Sequence, residues 1–235
     1  MTTAPRRARL LAEGAGTGLL VLTVVGSGIA AERLSPGDTG LQLLENTLAT
    51  VLGLAALILA FGSVSGAHFN PAVSLVERAR GRLDASDTAA YIAAQVAGGC
   101  AGAVVANLLF ELPAIELSSS TRSSGGQWLG EVVATFGLVV VIAGVVRSGR
   151  AAAVPAAVAG WIGAAYWATS STSFANPAVT VARTLSDTFA GIRPSSAPAF
   201  VAAELVGAGL ALVFVHTVFP DIEEAVDARP ADAQP

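Results

Sequence analysis

Two short motifs carry the most distinctive polar chemistry of this sequence: Asn70-Pro71-Ala72-Val73-Ser74 and Asn176-Pro177-Ala178-Val179-Thr180. Asparagine is a favoured helix N-cap residue, and proline fits the first helical turn because its missing N–H needs no partner there. Each motif therefore predicts a helix start with an amide at its tip. Such an amide can donate N–H hydrogen bonds to the oxygen of a neutral hydroxyl compound. Because only a few bonds are offered, the compound would be held briefly and then released.

A second recurring feature is a glutamate inside an apolar stretch. Glu13-x-x-x-Thr17 opens the first such stretch, and Glu131-x-x-x-Thr135 opens a later one. An ionisable side chain inside a membrane span is costly, so it should face the interior of the helix bundle. Their recurrence favours a role as hydrogen-bond acceptors for nearby backbone. The alternative is that both carboxylates lie near helix ends and reach water.

The sequence offers little for catalysis or for a cofactor. It contains two histidines, His68 and His216, and one cysteine, Cys100. No nucleophile–base pair, glycine-rich phosphate loop or nucleotide motif is found, and no metal site is expected. The sequence therefore predicts a protein that is not an enzyme and has no cofactor. Cys100 is expected to pack as a small hydrophobic residue.

Composition indicates where these motifs must operate. Of 235 residues, 53% are hydrophobic and 13% are charged, with a net charge of −4, whereas soluble domains carry about 25% charged residues. The absence of a large basic field excludes nucleic acid as an expected partner. The class that remains is a multi-pass membrane protein with the lipid bilayer as its surroundings.

Six apolar stretches have about the 20 residues that a membrane-spanning helix needs. The predicted spans are Leu10–Ala31, Leu41–Ala67, Tyr91–Phe110, Trp128–Val146, Ala151–Thr169 and Pro198–Phe219. Apart from Arg183, nine of the twelve arginines fall on the side of the membrane that holds both chain ends. Both termini are therefore expected in the cytoplasm. Residues 221–235 form an acidic, Pro/Ala-rich tail that is expected to be disordered.

The two halves of the chain resemble each other. Residues 8–110 and 126–220 each contain a Glu-x-x-x-Thr, an Asn-Pro-Ala motif and three spans, so the second half should be inserted upside down. Ten residues after each asparagine form about 15 Å of helix, which is half of a ~30 Å membrane core. We therefore predict an all-α membrane protein with six transmembrane helices and two re-entrant half-helices in an inverted repeat. Residues 1–220 should form a single channel domain.

The motifs together resemble those of the aquaporin superfamily, the major intrinsic proteins. The resemblance rests on Ser65–Val73, Glu13, Glu131, Gln95 and the second Asn-Pro-Ala, and it covers about residues 8–220. It implies one pore per protomer and a homotetramer. It also implies that Glu13 and Glu131 support the re-entrant loops, with Gln95 and Glu204 as second supports. His68 is expected at the cytoplasmic vestibule, with a core or hydrogen-bonding role as the alternative.

Counting along the chain by the spacing of that family gives a selectivity filter of Thr50, Ala164, Ser173 and Val179. Val179 occupies the position where the family usually has an arginine. The nearest arginine, Arg183, lies four residues further on; a structural role is the favoured interpretation, although it could approach the pore wall at another height. With no aromatic residue and no fixed charge, the filter should be wide. Phe174 would intrude only if this alignment were shifted by one residue.

The expected function is a passive channel for water and small neutral solutes such as glycerol-like polyols. The small-residue filter resembles that of a bacterial aquaglyceroporin branch associated with arsenic detoxification, which implies a bacterial inner-membrane location and adds arsenous acid and methylated arsenicals as candidate solutes. Two alternatives remain open. Inverted repeats and broken helices also occur in secondary transporters, so the buried carboxylates could relay protons. The second alternative is a structural junction protein that conducts no solute.

Overall fold

The computed structural model describes residues 4–219, and every regular element within that range is helical. The eight α-helices are α1 (Arg6–Leu34), α2 (Thr39–Ser65), α3 (Pro71–Ala79), α4 (Ala85–Leu109), α5 (Gly125–Arg147), α6 (Val154–Ala168), α7 (Pro177–Ala182) and α8 (Ala197–Val218). The tail at 221–235 lies outside the described residues.

Six helical segments are long and apolar enough to cross a membrane, which confirms the six predicted spans. They are α1, α2, α4, α5, α8 and Ala151–Ala168, in which a short 3₁₀ turn leads into α6. The largest difference in position is at α4, which begins at Ala85 instead of Tyr91. Asp84 causes this earlier start, because its carboxylate accepts a hydrogen bond from the Asp87 backbone N–H at 2.7 Å and caps the helix. The polar first turn of α4 is therefore helical although its composition is not typical of a span.

The two short helices α3 and α7 each follow an Asn-Pro-Ala motif, as predicted. They differ in how they end. The first runs as an α-helix to Ala79, whereas the second is α-helical only to Ala182 and then tightens into a 3₁₀ turn, Arg183–Leu185. The ten-residue helix predicted after Asn176 is therefore shorter in its regular part.

Small residues let the helices of each half pack closely. In the first half, a Cβ added to Gly98 or Gly102 of α4 would overlap the backbone oxygen of Gly14 or Gly18 in α1. In the second half, a Cβ on Gly207 of α8 would overlap the backbone of α5. Such close approach of backbones is the usual way in which membrane helices associate. The α1–α4 and α5–α8 pairs therefore hold the two half-helices from both sides.

The outward faces of the spans are apolar and exposed. Leu52 in α2 and Val213 in α8 are 69% and 67% exposed. The buried core lies between the helices and continues from the first half into the second. A chain with apolar residues both inside and outside matches a protein whose surroundings are lipid.

Candidate functional site

The two half-helices meet tip to tip through their asparagines. Asn70 and Asn176 cap α3 and α7, and their Oδ1 atoms accept hydrogen bonds from the backbone N–H groups of Ala72 and Ala178 at 2.9 and 3.0 Å. Each Nδ2 donates to the opposite segment, Asn70 to the Ala175 carbonyl and Asn176 to the Phe69 carbonyl, both at 2.7 Å. One N–H of each amide is used to join the two segments, so one remains for a solute.

The backbone leading into each asparagine is strained in the same way. Ala67 and Phe69 have φ of 50° and 48°, and Ser173 and Ala175 have φ of 50° and 49°. These residues lie three and one positions before each asparagine. Non-glycine residues in the left-handed region cost of order 1–3 kcal/mol each and persist only where the surroundings fix them. In each half, neighbouring side chains must therefore fix this backbone conformation.

In the first half, the backbone is held by Glu13. Its Oε1 accepts from the Ser65 hydroxyl at 2.6 Å and the His68 N–H at 3.0 Å. Its Oε2 accepts from the Phe69 N–H and from the Gln95 amide, both at 2.7 Å. The side chain is completely buried.

In the second half, Glu131 takes the corresponding position. It accepts from the Phe174 N–H at 2.9 Å and from the Ala175 N–H at 2.7 Å. Glu204 accepts from the Asn176 N–H at 3.1 Å and from the Thr180 hydroxyl at 2.6 Å. Because Glu13 and Glu131 are both 0% exposed, the alternative that they reach water is wrong.

A continuous cavity of about 610 Å³ passes the two asparagines. Its wall is mostly apolar, with residues from α1, α2, α5, α6 and both re-entrant segments. Six of the residues predicted for the site line it: Thr50, His68, Asn70, Ser173, Asn176 and Val179. The remaining motif residues, Pro71, Ala72, Pro177 and Ala178, are buried behind this wall, and so are Glu13, Gln95 and Glu131.

His68 lies on the cavity wall and also makes a polar contact; which side of the membrane it faces stays a prediction. Its ring lines the cavity, and its Nδ1 lies 3.0 Å from the Ser74 hydroxyl. The edge of the ring also packs against Tyr91 at 5.4 Å between centroids.

Ala164 does not belong to this group of residues. It is exposed on the outer face of α6, and Tyr166 lines the cavity instead. The reason is helical geometry: Val158, Ile162 and Tyr166 recur every four residues along the cavity face, whereas Ala164 is two residues from Ile162 and about 200° around the helix. The Tyr166 hydroxyl lies 3.3 Å from Thr50 Oγ1. The prediction of a filter without an aromatic residue is therefore wrong for this position.

Arg183 lines the cavity as well, which the favoured interpretation from sequence did not include. It is 2% exposed. Its Nε donates to the Ala190 carbonyl, and its guanidinium carbon lies 3.4 Å from the centroid of the Phe174 ring. Arg183 thus has the structural hydrogen bond that was expected and a place on the cavity wall.

Arg122 stacks on the same ring from the loop between α4 and α5, at 5.1 Å from the centroid. It donates to three backbone carbonyls, those of Gly191 at 3.0 Å, Ser171 at 3.4 Å and Phe189 at 3.5 Å. Burial lowers the pKa of its guanidinium, but an arginine starts so high that it keeps its charge. Arg122 therefore fixes the loops around Phe174.

The comparison with known proteins agrees with this geometry. The family model for "Major intrinsic protein" matches residues 1–170. The chain belongs to the major intrinsic protein family. It is 53% identical over 208 residues to the aquaglyceroporin AqpS of Rhizobium meliloti (strain 1021), which covers 88% of each chain. It is 33% identical to aquaporin NIP1-2 of Arabidopsis thaliana over 61% of this chain and 51% of that protein.

Solved structures of the family show the same fold. The X-ray structure of the aquaglyceroporin from Plasmodium falciparum superposes with a TM-score of 0.72 over 96% of this chain and 100% of that one, at 23% identity. The all-α arrangement of six spans and two half-helices is therefore the aquaporin fold, as the motifs predicted.

Proposed function

We propose that the protein is a passive channel of a bacterial inner membrane for water and small neutral solutes. The observation that carries this proposal is the cavity that passes the tips of both half-helices, with one free amide N–H at each asparagine. A mostly apolar wall with few donors offers a solute brief hydrogen bonds and no deep binding site. Residues 1–220 act as one channel domain.

Helix dipoles supply the first element of selectivity. Helices α3 and α7 both begin at the asparagines, so their partially positive N-termini face the middle of the cavity. Cations and protons are repelled there, whereas neutral molecules are not. The channel therefore carries solutes without net charge.

The residues around Val179 determine which neutral solutes pass. Val179 itself offers no hydrogen bond and no charge at the position where the family usually has an arginine. Thr50 and Tyr166 provide hydroxyl groups on the same wall, and Ser173 lies beside them with its hydroxyl oxygen buried. This combination suits polyols such as glycerol. It also suits arsenous acid and methylated arsenicals, because As(OH)₃ is neutral at pH 7 and presents hydroxyls as glycerol does.

A proton-coupled carrier is the alternative, and the position of the carboxylates weighs against it. Glu13, Glu131 and Glu204 are all fully buried, and none of them lines the cavity. The carboxylate that does line it, Glu77, is ion-paired with Arg80 at 3.5 Å and with Arg82 at 3.4 Å. A relay needs carboxylates that meet the transported solute or the proton path. We therefore keep the passive channel, with both termini in the cytoplasm and a homotetramer in the bilayer.

A matched pair of substitutions on α2 tests the proposal. Leu54 is 8% exposed and lines the cavity, whereas Leu52 on the same helix is 69% exposed on the outer face. Purified protein in proteoliposomes should pass water and glycerol in stopped-flow measurements. Leu54→Trp should reduce both fluxes by about tenfold because the indole fills the path, an effect equal to ~1.4 kcal/mol of barrier. Leu52→Trp should leave them unchanged.

The same vesicles separate the alternatives. Solute flux that continues with an uncoupler present supports the channel, and flux that stops supports a carrier. No flux of any solute above empty vesicles would favour a structural role and would overturn the proposal. Arsenous acid and urea complete the solute series.

A further inference from the structure

We infer that Arg183 is a specificity-determining residue of the channel, which places a guanidinium at the ring formed by Thr50, Tyr166, Ser173 and Val179. This inference rests on the proposed channel function. The guanidinium restricts the ring to small solutes that carry an oxygen acceptor, and it repels cations. Arg183 lies seven residues after Asn176, whereas the arginine usual in the family lies three residues after it. The sequence alone therefore does not indicate this role.

The first step is the direction of the side chain. Cβ atoms in a helix tilt toward its N-terminus, and the N-terminus of α7 lies at the middle of the channel. Arg183 follows directly after α7, so its long side chain can return toward the asparagine. The contact with Phe174 shows that it does, because that ring belongs to the residue that follows Ser173. Tyr166 and Thr50 line the same cavity as Arg183.

The second step is the number of donors that remain. A guanidinium has five N–H groups. In the described part of the chain, the protein accepts one hydrogen bond from Arg183, at Nε, and neither terminal nitrogen has a protein partner. Arg122 differs, since all three of its nitrogens donate to carbonyls. Because Arg183 lines the cavity and is otherwise buried, its two terminal nitrogens have the channel as their remaining space.

The third step is how the guanidinium is fixed. Phe174 lies against its face, and the Ala190 carbonyl holds its Nε. A cation over an aromatic ring is attracted by the negative face of the ring, and more strongly when it is desolvated. The group is therefore preorganised, and its free donors point to one region of the channel. A solute with a hydroxyl or carbonyl oxygen can accept from them.

The test compares Arg183→Gln with a matched control, Arg33→Gln. Arg33 also donates to one backbone carbonyl, that of Phe110, and also stacks on a phenyl ring, but it does not line the cavity. In proteoliposomes, Arg183→Gln should raise the ratio of glycerol to water permeability by about tenfold, roughly the effect of one hydrogen bond to a charged donor. It should also raise the sodium and proton leak, measured with entrapped dyes. Arg33→Gln should change neither.

Two further variants keep the inference testable if Arg183→Gln does not assemble. Arg183→Lys keeps the charge and loses the planar fork, so the cation leak should stay low while the solute ratio changes. Phe174→Leu removes the surface that orients the guanidinium and should give an intermediate ratio. If folded Arg183→Gln or Arg183→Lys has the wild-type ratio and leak, the inference is overturned. Wild-type water flux is measured in parallel vesicles. Normal wild-type flux with an unchanged variant therefore overturns the role of Arg183 alone, whereas absent wild-type flux overturns the channel proposal.

Discussion

The loops that lead into α3 and α7 place the same backbone N–H groups against a buried glutamate, but they complete the network differently. Glu13 accepts four hydrogen bonds, two of them from the side chains of Ser65 and Gln95. Glu131 accepts two backbone bonds, and it also interacts with the Ser171 hydroxyl and with a second carboxyl, Glu204 of α8. This difference shows that the two halves of the chain share the backbone geometry of the loops, whereas the side chains that stabilise this geometry differ.

A similar comparison applies to the channel wall. Val73 and Val179 are the fourth residues of the two motifs, and both line the cavity with 7% and 4% exposure. Only Val179 has Phe174 and Arg183 on the same re-entrant segment. The two halves are therefore equivalent in backbone and unequal in selectivity, so paired substitutions can separate support of the fold from control of solute passage.

The largest effect is expected for removal of the buried acceptors. Glu13→Ala leaves four donors without their partner, at about 1–3 kcal/mol for each buried donor that finds no substitute. Glu131→Ala leaves two backbone donors and the weaker contact with Ser171, and it should destabilise less. The midpoint of thermal unfolding in detergent and the water flux should both fall further for Glu13→Ala. Equal losses would contradict the idea that the first half depends more on its glutamate.

The next effect concerns selectivity. Val179→Arg should reduce the ratio of glycerol to water permeability by about tenfold, because a second guanidinium narrows the ring and adds fixed charge at the outer part of the channel. Val73→Arg is the matched variant in the other half. It should reduce water and glycerol together, since it lies on the other re-entrant segment. Stopped-flow measurements on both variants decide this, after their assembly has been checked.

If Val179→Arg and Val73→Arg give the same ratio, the ring around Val179 does not select solutes. Thr50→Trp helps to interpret a positive result. It narrows the same ring without charge, so a smaller change in cation leak than for Val179→Arg separates bulk from electrostatics.

A smaller effect is expected from exchanging the second supports. The Gln95 Nε2 donates to Glu13. Within residues 4–219, neither the Gln95 Oε1 nor the Glu204 Oε2 has a hydrogen-bond partner. Two adjacent buried carboxyl groups cannot both be ionised without strong repulsion, so one shared proton should make Glu204 the equivalent of Gln95. Glu204→Gln should therefore leave stability and flux near wild type. Gln95→Glu, which brings a second carboxyl to Glu13, should lower the thermal midpoint by a few degrees, the effect of about 1 kcal/mol.

A large loss in Glu204→Gln would show that its ionised form is needed for the hydrogen bonds from Asn176 and Thr180. Thermal unfolding of both variants in the same detergent is sufficient to distinguish these outcomes.

The sequence was sufficient where a pattern is local and repeated. The Asn-Pro-Ala motifs predicted both helix starts, and the recurring glutamates led to the right buried positions. It failed where a side chain's direction matters. Ala164 came from a count along the chain, whereas the face of α6 selects Tyr166. Arg183 lines the cavity and lies against Phe174, which spacing along the chain does not indicate because it does not give the direction of a long side chain. The bond between Thr50 and Tyr166 joins residues 116 apart and has no signature in sequence.

The smallest effect is expected at Cys100, the only cysteine of the chain. It is half-buried in α4 and packs against the core between the helices, and it does not contribute to the cavity wall. Ser173 lines the cavity in the second half, where a thiol would meet passing mercurials. Wild-type flux should therefore be nearly insensitive to mercury compounds, and Cys100→Ser should match it. Ser173→Cys should gain inhibition that a thiol reagent reverses. Strong inhibition of the wild type that disappears in Cys100→Ser would mean that α4 contributes to the channel wall and that the two halves are less alike than their backbones indicate.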